Sequence, residues 1–121
     1  LAAGITQAVP GNRTGDIGAA VQDVVERAGF QVVRTLVGHG VGRSMHEEPQ
    51  VPNFGKPGTG VLLEEGVVIA IEPMVTQGDP EVVLGGDGWV VSTRDQGLAA
   101  HFEHTVAITA SGPRILTRRN A

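Results

Sequence analysis

Eighteen of the 121 residues are glycine, about double average usage, and their placement constrains the fold more than any other feature of the chain. They recur at no fixed interval, which excludes a fibre or a low-complexity tract. They fall instead between segments of regular apolar spacing. That distribution predicts turns, and places where the backbone runs close to a bound group. The segments between them must build a core from Val, Ile, Leu and Ala, because aromatic residues make up only 3% of the chain while hydrophobic residues make up 40%. This apolar content is ordinary for a globular protein and argues against disorder. The length suits one small domain or a piece of a larger one.

Charge and cysteine usage narrow the function classes. A net charge of −4 argues against direct nucleic-acid binding, which needs a basic stripe. The one basic cluster, Arg114 to Arg119, reads as a solvated tail. Without cysteine, neither a disulfide framework nor a zinc–thiolate site can form, and a reducing compartment fits. The longest apolar run, Val67 to Ile71, is far too short to span a bilayer. The first residues lack the charged and apolar regions of a signal peptide. The chain opens on Leu1-Ala2-Ala3-Gly4-Ile5, the pattern of a helix interior, which predicts a fragment of a longer protein.

The same spacing arguments place the elements. Leu1 to Val9 reads as a helix remnant ended by the Pro10-Gly11 turn pair. Thr14 or Asp16 can cap a second helix, whose Ile17, Val21, Val24, Val25 and Ala28 follow helical spacing up to Gly29. Phe30 to Thr35 reads as a short strand, and Leu36 to Pro57 as a Gly- and Pro-rich connection. Val67 to Met74 reads as a buried strand. Glu81 to Leu84 and Trp89 to Ser92 flank Gly85-Gly86-Asp87-Gly88 as a hairpin, and Ala99 to Thr109 reads as one long final strand. No linker divides the chain and no repeat is present.

Three segments carry candidate chemistry. Gly38-His39-Gly40-Val41-Gly42 precedes Met45-His46-Glu47-Glu48-Pro49. Glycines around His39 remove bulk and let backbone approach a bound group, although a flexible loop with surface histidines has the same composition. The spacing of the two histidines is not that of the helical His-Glu-x-x-His zinc peptidases. In Ile71-Glu72-Pro73-Met74, proline pushes Glu72 toward an extended backbone, on the same face as Val68 and Ala70. A carboxylate there is costly to bury unless paired or bound to metal; otherwise it lies past the sheet edge in water. In Ala100 to Ile108, period two puts Phe102, His104, Val106 and Ile108 on one face and His101, Glu103, Thr105 and Ala107 on the other. A half-exposed strand with Glu103 in solvent would read the same way. Together the segments offer an imidazole and two carboxylates, a set that suits manganese, iron, cobalt or zinc. The residues alone leave that site and the bland alternatives open.

The stretch from Gly38 through His46-Glu47-Glu48-Pro49 to Phe54 resembles the first signature of the bacterial-type methionine aminopeptidases. Ile71-Glu72-Pro73-Met74 and Phe102-Glu103-His104-Thr105 resemble the next two, in the same order, and Asp87-Gly88-Trp89 also matches. The likeness runs from near Leu1 to about Leu116. It implies an α/β (α+β) pita-bread fold, with a curved antiparallel sheet and its N-terminal half missing. Residues 1–121 would then form the C-terminal part of a single metallopeptidase catalytic domain. It implies two divalent metal ions, with His39, Glu72 and Glu103 as three of five ligands, Glu103 bridging, and two aspartates on the absent half. Glu72 and His46 would be catalytic, and His46, Met45 and Trp89 would bind substrate. His101 would border the site without being a ligand. The substrate implied is the N-terminal methionine of nascent polypeptides, in the cytoplasm and near the ribosome, for an enzyme that is a monomer when intact. Two rival expectations remain: a non-catalytic binding module of the same fold, and a proline-specific exopeptidase.

Overall fold

A computed structural model describes residues 1–120. Helix α1 spans Ala2–Thr6 and α2 spans Thr14–Arg27. The start of α2 is fixed by Asp16 in its first turn, which accepts the Arg13 amide at 2.7 Å and the Gly58 amide at 2.8 Å. Those two donors hold its carboxyl below the ordinary aspartate value. Neither Thr14 nor Asp16 is the N-cap; Arg13 holds that position. Thr14 lies inside the helix, where its hydroxyl accepts the Val61 amide. At the other end Gly29 takes φ +81°, a left-handed conformation that ends the helix cheaply only with glycine. The predicted apolar stripe is buried at Ile17 and Val21, whereas Val24 is left exposed.

Ten short strands follow: β1 Gln31–Val32, β2 Gly38–Gly40, β3 Glu47–Val51, β4 Val68–Ile71, β5 Met74–Thr76, β6 Val82–Leu84, β7 Val91–Thr93, β8 Ala99–His101, β9 His104–Thr109 and β10 Gly112–Ile115. They form a five-stranded sheet in the order β10-β9-β4-β2-β3, a three-stranded sheet β1-β5-β8, and the β6-β7 hairpin. Every pairing is antiparallel. The core joins Ile5, Ala8 and Ile17 from the helical end to Val51, Ile69, Ile71, Val106 and Ile108 of the larger sheet. The helices therefore cover one face of that sheet.

Four expectations need correction. Leu36 to Pro57 is more than a connection, since it contains β2 and β3. Its glycines serve sheet packing: a Cβ on Gly38 would overlap the Ala70 carbonyl, and one on Gly40 the Glu48 carbonyl. The short strand foreseen over Phe30 to Thr35 is only two residues long. The presumed tail begins with a strand, β10, which pairs with β9 while Arg114 stays exposed. Finally, the two long strands are each broken. Val67 to Met74 divides at Glu72-Pro73 into β4 and β5, and Ala99 to Thr109 divides at Phe102-Glu103 into β8 and β9. Pro73 has no amide to donate. Phe102, beyond its β9 ladder, donates to the Pro73 carbonyl at 3.2 Å. Because Phe102 lies in the break, it is 66% exposed and does not join the buried face of Val106 and Ile108.

Candidate metal centre

The paired breaks build the site. Ile71 is opposite His104 on one side of the interruption and Met74 is opposite His101 on the other. The register is unchanged across it, so Glu72 faces Glu103. Like charges directly opposite each other destabilise a sheet unless something offsets them. On the neighbouring strand His39 is opposite Ala70, which brings its ring to the same point. His39, Glu72 and Glu103 each offer a ligand atom, all within 4.8 Å of one another.

Electrostatics at this point are tight. Burial, and then the neighbouring Glu103 charge, push the Glu72 carboxyl above the ordinary glutamate value, against the pull of His39 and His101. The Glu72 side chain is 14% exposed and is not in open water past the sheet edge. Its Oε1 is 3.2 Å from His39 Nε2 and its Oε2 is 3.2 Å from His101 Nε2. The ring of His46 lies against that of His39, with centroids 4.2 Å apart and planes inclined at 46°. A cavity of about 640 Å³ opens beside the cluster, with His39, His46, Glu72, Trp89 and His101 in its wall. Trp89 is 85% exposed. Met45, expected beside His46 in the substrate pocket, is not part of that wall and is 74% exposed.

These donors fit a divalent cation. His39 Nδ1 is 2.8 Å from the Gly40 carbonyl, which can only accept, so Nδ1 carries the proton. In the neutral ring Nε2 is then a bare lone pair, facing a carboxylate oxygen at 3.2 Å. A cation between two such acceptors satisfies both, through metal bonds of about 2.0–2.2 Å to imidazole and carboxylate. A backbone carbonyl fixing the other ring nitrogen is the usual support for a histidine ligand.

The contact made by His101, and Asn53 altogether, were not foreseen in the sequence. His101 does more than border the site, since it contacts Glu72 directly; the shared face of His101 and Glu103 was the signal for it. Asn53 is fully buried and its Nδ2 donates to the Glu72 carbonyl at 3.2 Å, while its Oδ1 has no partner among the described residues. No spacing rule singles out Asn53.

The profile of metallopeptidase family M24 matches residues 1–110. This chain belongs to that family. It is 52% identical over 114 residues to methionine aminopeptidase B of Synechocystis, covering 94% of this chain and 42% of the relative. It is 54% identical to a methionine aminopeptidase of Clostridium perfringens, covering 94% and 46%. The solved methionine aminopeptidase of Thermotoga maritima superposes with a TM-score of 0.92 at 52% identity, over 96% of this chain and 47% of that one. The chain thus spans less than half the length of the relatives it matches. A prolidase from Pyrococcus furiosus superposes with a TM-score of 0.71 at 23% identity, over 99% of this chain and 30% of that one, a likeness of fold alone. The mixed α/β architecture with antiparallel sheets is the pita-bread fold these neighbours share.

Proposed function

We propose that this chain is the C-terminal part of a methionine aminopeptidase, a metal-dependent exopeptidase that removes N-terminal methionine. The observation that carries this reading is the imidazole–dicarboxylate cluster at the edge of a cavity that also holds His46 and Trp89. Identity of about half to methionine aminopeptidases supports it over a proline-specific exopeptidase, whose likeness is of fold only.

His39, Glu72 and Glu103 would hold divalent metal, two ions in the intact enzyme. The further aspartate donors belong, in this proposal, to a segment outside this chain. The donor types suit manganese, iron, cobalt or zinc. When bound, such ions polarise a carbonyl and bring the pKa of water toward about 7. Glu72 takes the proton from the attacking water and passes it to the departing amine. His46 donates a hydrogen bond to the substrate oxygen as negative charge develops on it. Met45 and Trp89 line the pocket for the methionine side chain. The proposed setting is the cytoplasm, the substrate nascent polypeptides near the ribosome, and the intact enzyme a monomer. Among the described residues no helix is long and apolar enough to cross a membrane.

The test uses the full natural protein containing this chain, stripped of metal and resupplied with manganese, cobalt, iron or zinc in turn. Release of methionine from a Met-Ala-Ser peptide with at least one of them, and none from an Xaa-Pro peptide, is expected. Cleavage of Xaa-Pro alone, or of neither peptide with any metal, rejects the proposal.

A further inference from the structure

His101 holds the one Glu72 oxygen that His39 does not face. We propose that His101 is a positioning residue for the metal centre: its Nε2–H holds Glu72 Oε2, and so directs Oε1 toward His39. The inference rests on the metal-centre reading above.

The geometry supports this in three ways. Nε2 of His101 is 3.2 Å from Glu72 Oε2, within reach of a charge-assisted hydrogen bond, whereas Glu103 Oε2 is 4.0 Å away. An ionised carboxylate only accepts, so that bond requires the proton on His101 Nε2. A ring nitrogen so protonated donates and does not ligate, which separates His101 from His39, whose proton is held on Nδ1 by the Gly40 carbonyl. Position in the fold explains how the ring gets there. His101 ends β8 opposite Met74, two residues before Glu103, and strand alternation sends both side chains to the side of the break where Glu72 stands. Without the bond, a glutamate on an interrupted strand has free rotation about its terminal torsion, and either oxygen could face the cation.

Outer partners of this kind are worth about 10–100-fold in metal affinity. The experiment is a calorimetric manganese titration of the full natural protein, stripped of metal, with the His101→Ala and His101→Gln variants, each also in a Glu72→Gln background. His101→Ala is expected to weaken manganese binding by about tenfold or more. His101→Gln keeps an N–H donor and should recover most of that loss. In the Glu72→Gln background, His101→Ala should add no further loss, because the two residues act as one unit. An equal loss in both backgrounds would make the role merely structural. Unchanged affinity in His101→Ala, or a loss in His101→Gln as deep as in His101→Ala, would also overturn the proposal, the last by making the imidazole itself a ligand. The parent readings fail separately. Wild-type protein that binds manganese but leaves Met-Ala-Ser intact rejects the aminopeptidase and spares His101; wild-type protein that binds no divalent metal rejects the centre itself.

Discussion

Glu103 and His46 both lie close to His39 and should fail differently. Glu103→Ala removes one of three donors and relieves the charge that helps to raise Glu72. In the full natural protein it should abolish methionine release and lower bound metal together. His46 meets the cluster through its ring, which lies against that of His39. His46→Ala should lower turnover by about 10²-fold while metal content stays near wild type, as expected for a donor to a developing oxyanion. Metal analysis beside kinetics separates the two; loss of metal in the His46 variant with retention in the Glu103 variant would reverse the roles. The three donors were legible in sequence because each lies in a short motif of unusual composition. The contact between His101 and Glu72 was not, because it needs the register of β4 with β9 to carry on into the pairing of β5 with β8, which no local pattern states.

Local pattern located the elements but missed where they stop. The apolar run up to Ile71 and the alternation from His104 to Ile108 are real strands with buried Ile69, Ile71, Val106 and Ile108. Alternation continues on paper through Glu72 and Phe102, but a strand is a pairing, and pairing lapses at matched positions of both partners. The β2–β3 pair was hidden for a related reason. Glycine depresses strand propensity, and its requirement here comes from neighbours distant in sequence, such as the Ala70 carbonyl beside Gly38. That crowding gives a test. Gly40→Ala would drive a methyl into the Glu48 carbonyl, and overpacking of this sort costs about 1–3 kcal/mol or more. Urea unfolding of the full protein should show that loss, with weaker manganese binding because His39 is the adjacent residue. Wild-type stability would mean that β2 and β3 do not pair as described.

At the scale of the molecule, the Asp16 carboxylate is one of several hydrogen-bonding groups that tie α2 to the loop before β4. Asp16 accepts amides from Arg13 and Gly58, and its carboxyl is held below the usual value by them. A depressed folded value means the contribution is complete above the ordinary aspartate range and is lost as pH falls through the depressed value. Asp16→Asn should therefore destabilise the protein at neutral pH, and the gap from wild type should narrow in acid. A gap independent of pH, followed by chemical denaturation, would contradict this. The chain also leaves Trp89, Leu98 and Phe102 mostly exposed, and among the described residues three donors gather at the centre. Expressed by itself, it should self-associate, bind manganese weakly and leave Met-Ala-Ser uncut, as light scattering, calorimetry and a peptide assay would report. Turnover near that of an intact family member would show that these residues suffice.

The charges gathered at the paired breaks are proposed to surround a cation. The direct measurement is anomalous diffraction from crystals of the full natural protein grown with manganese. The account predicts an anomalous peak bonded to His39 Nε2 and to carboxylate oxygens of Glu72 and Glu103, with His101 Nε2 on Glu72 Oε2 and outside bonding distance of the ion. A peak elsewhere, or an ordered cluster with His39 Nε2 and Glu72 Oε1 sharing only a proton, would contradict it.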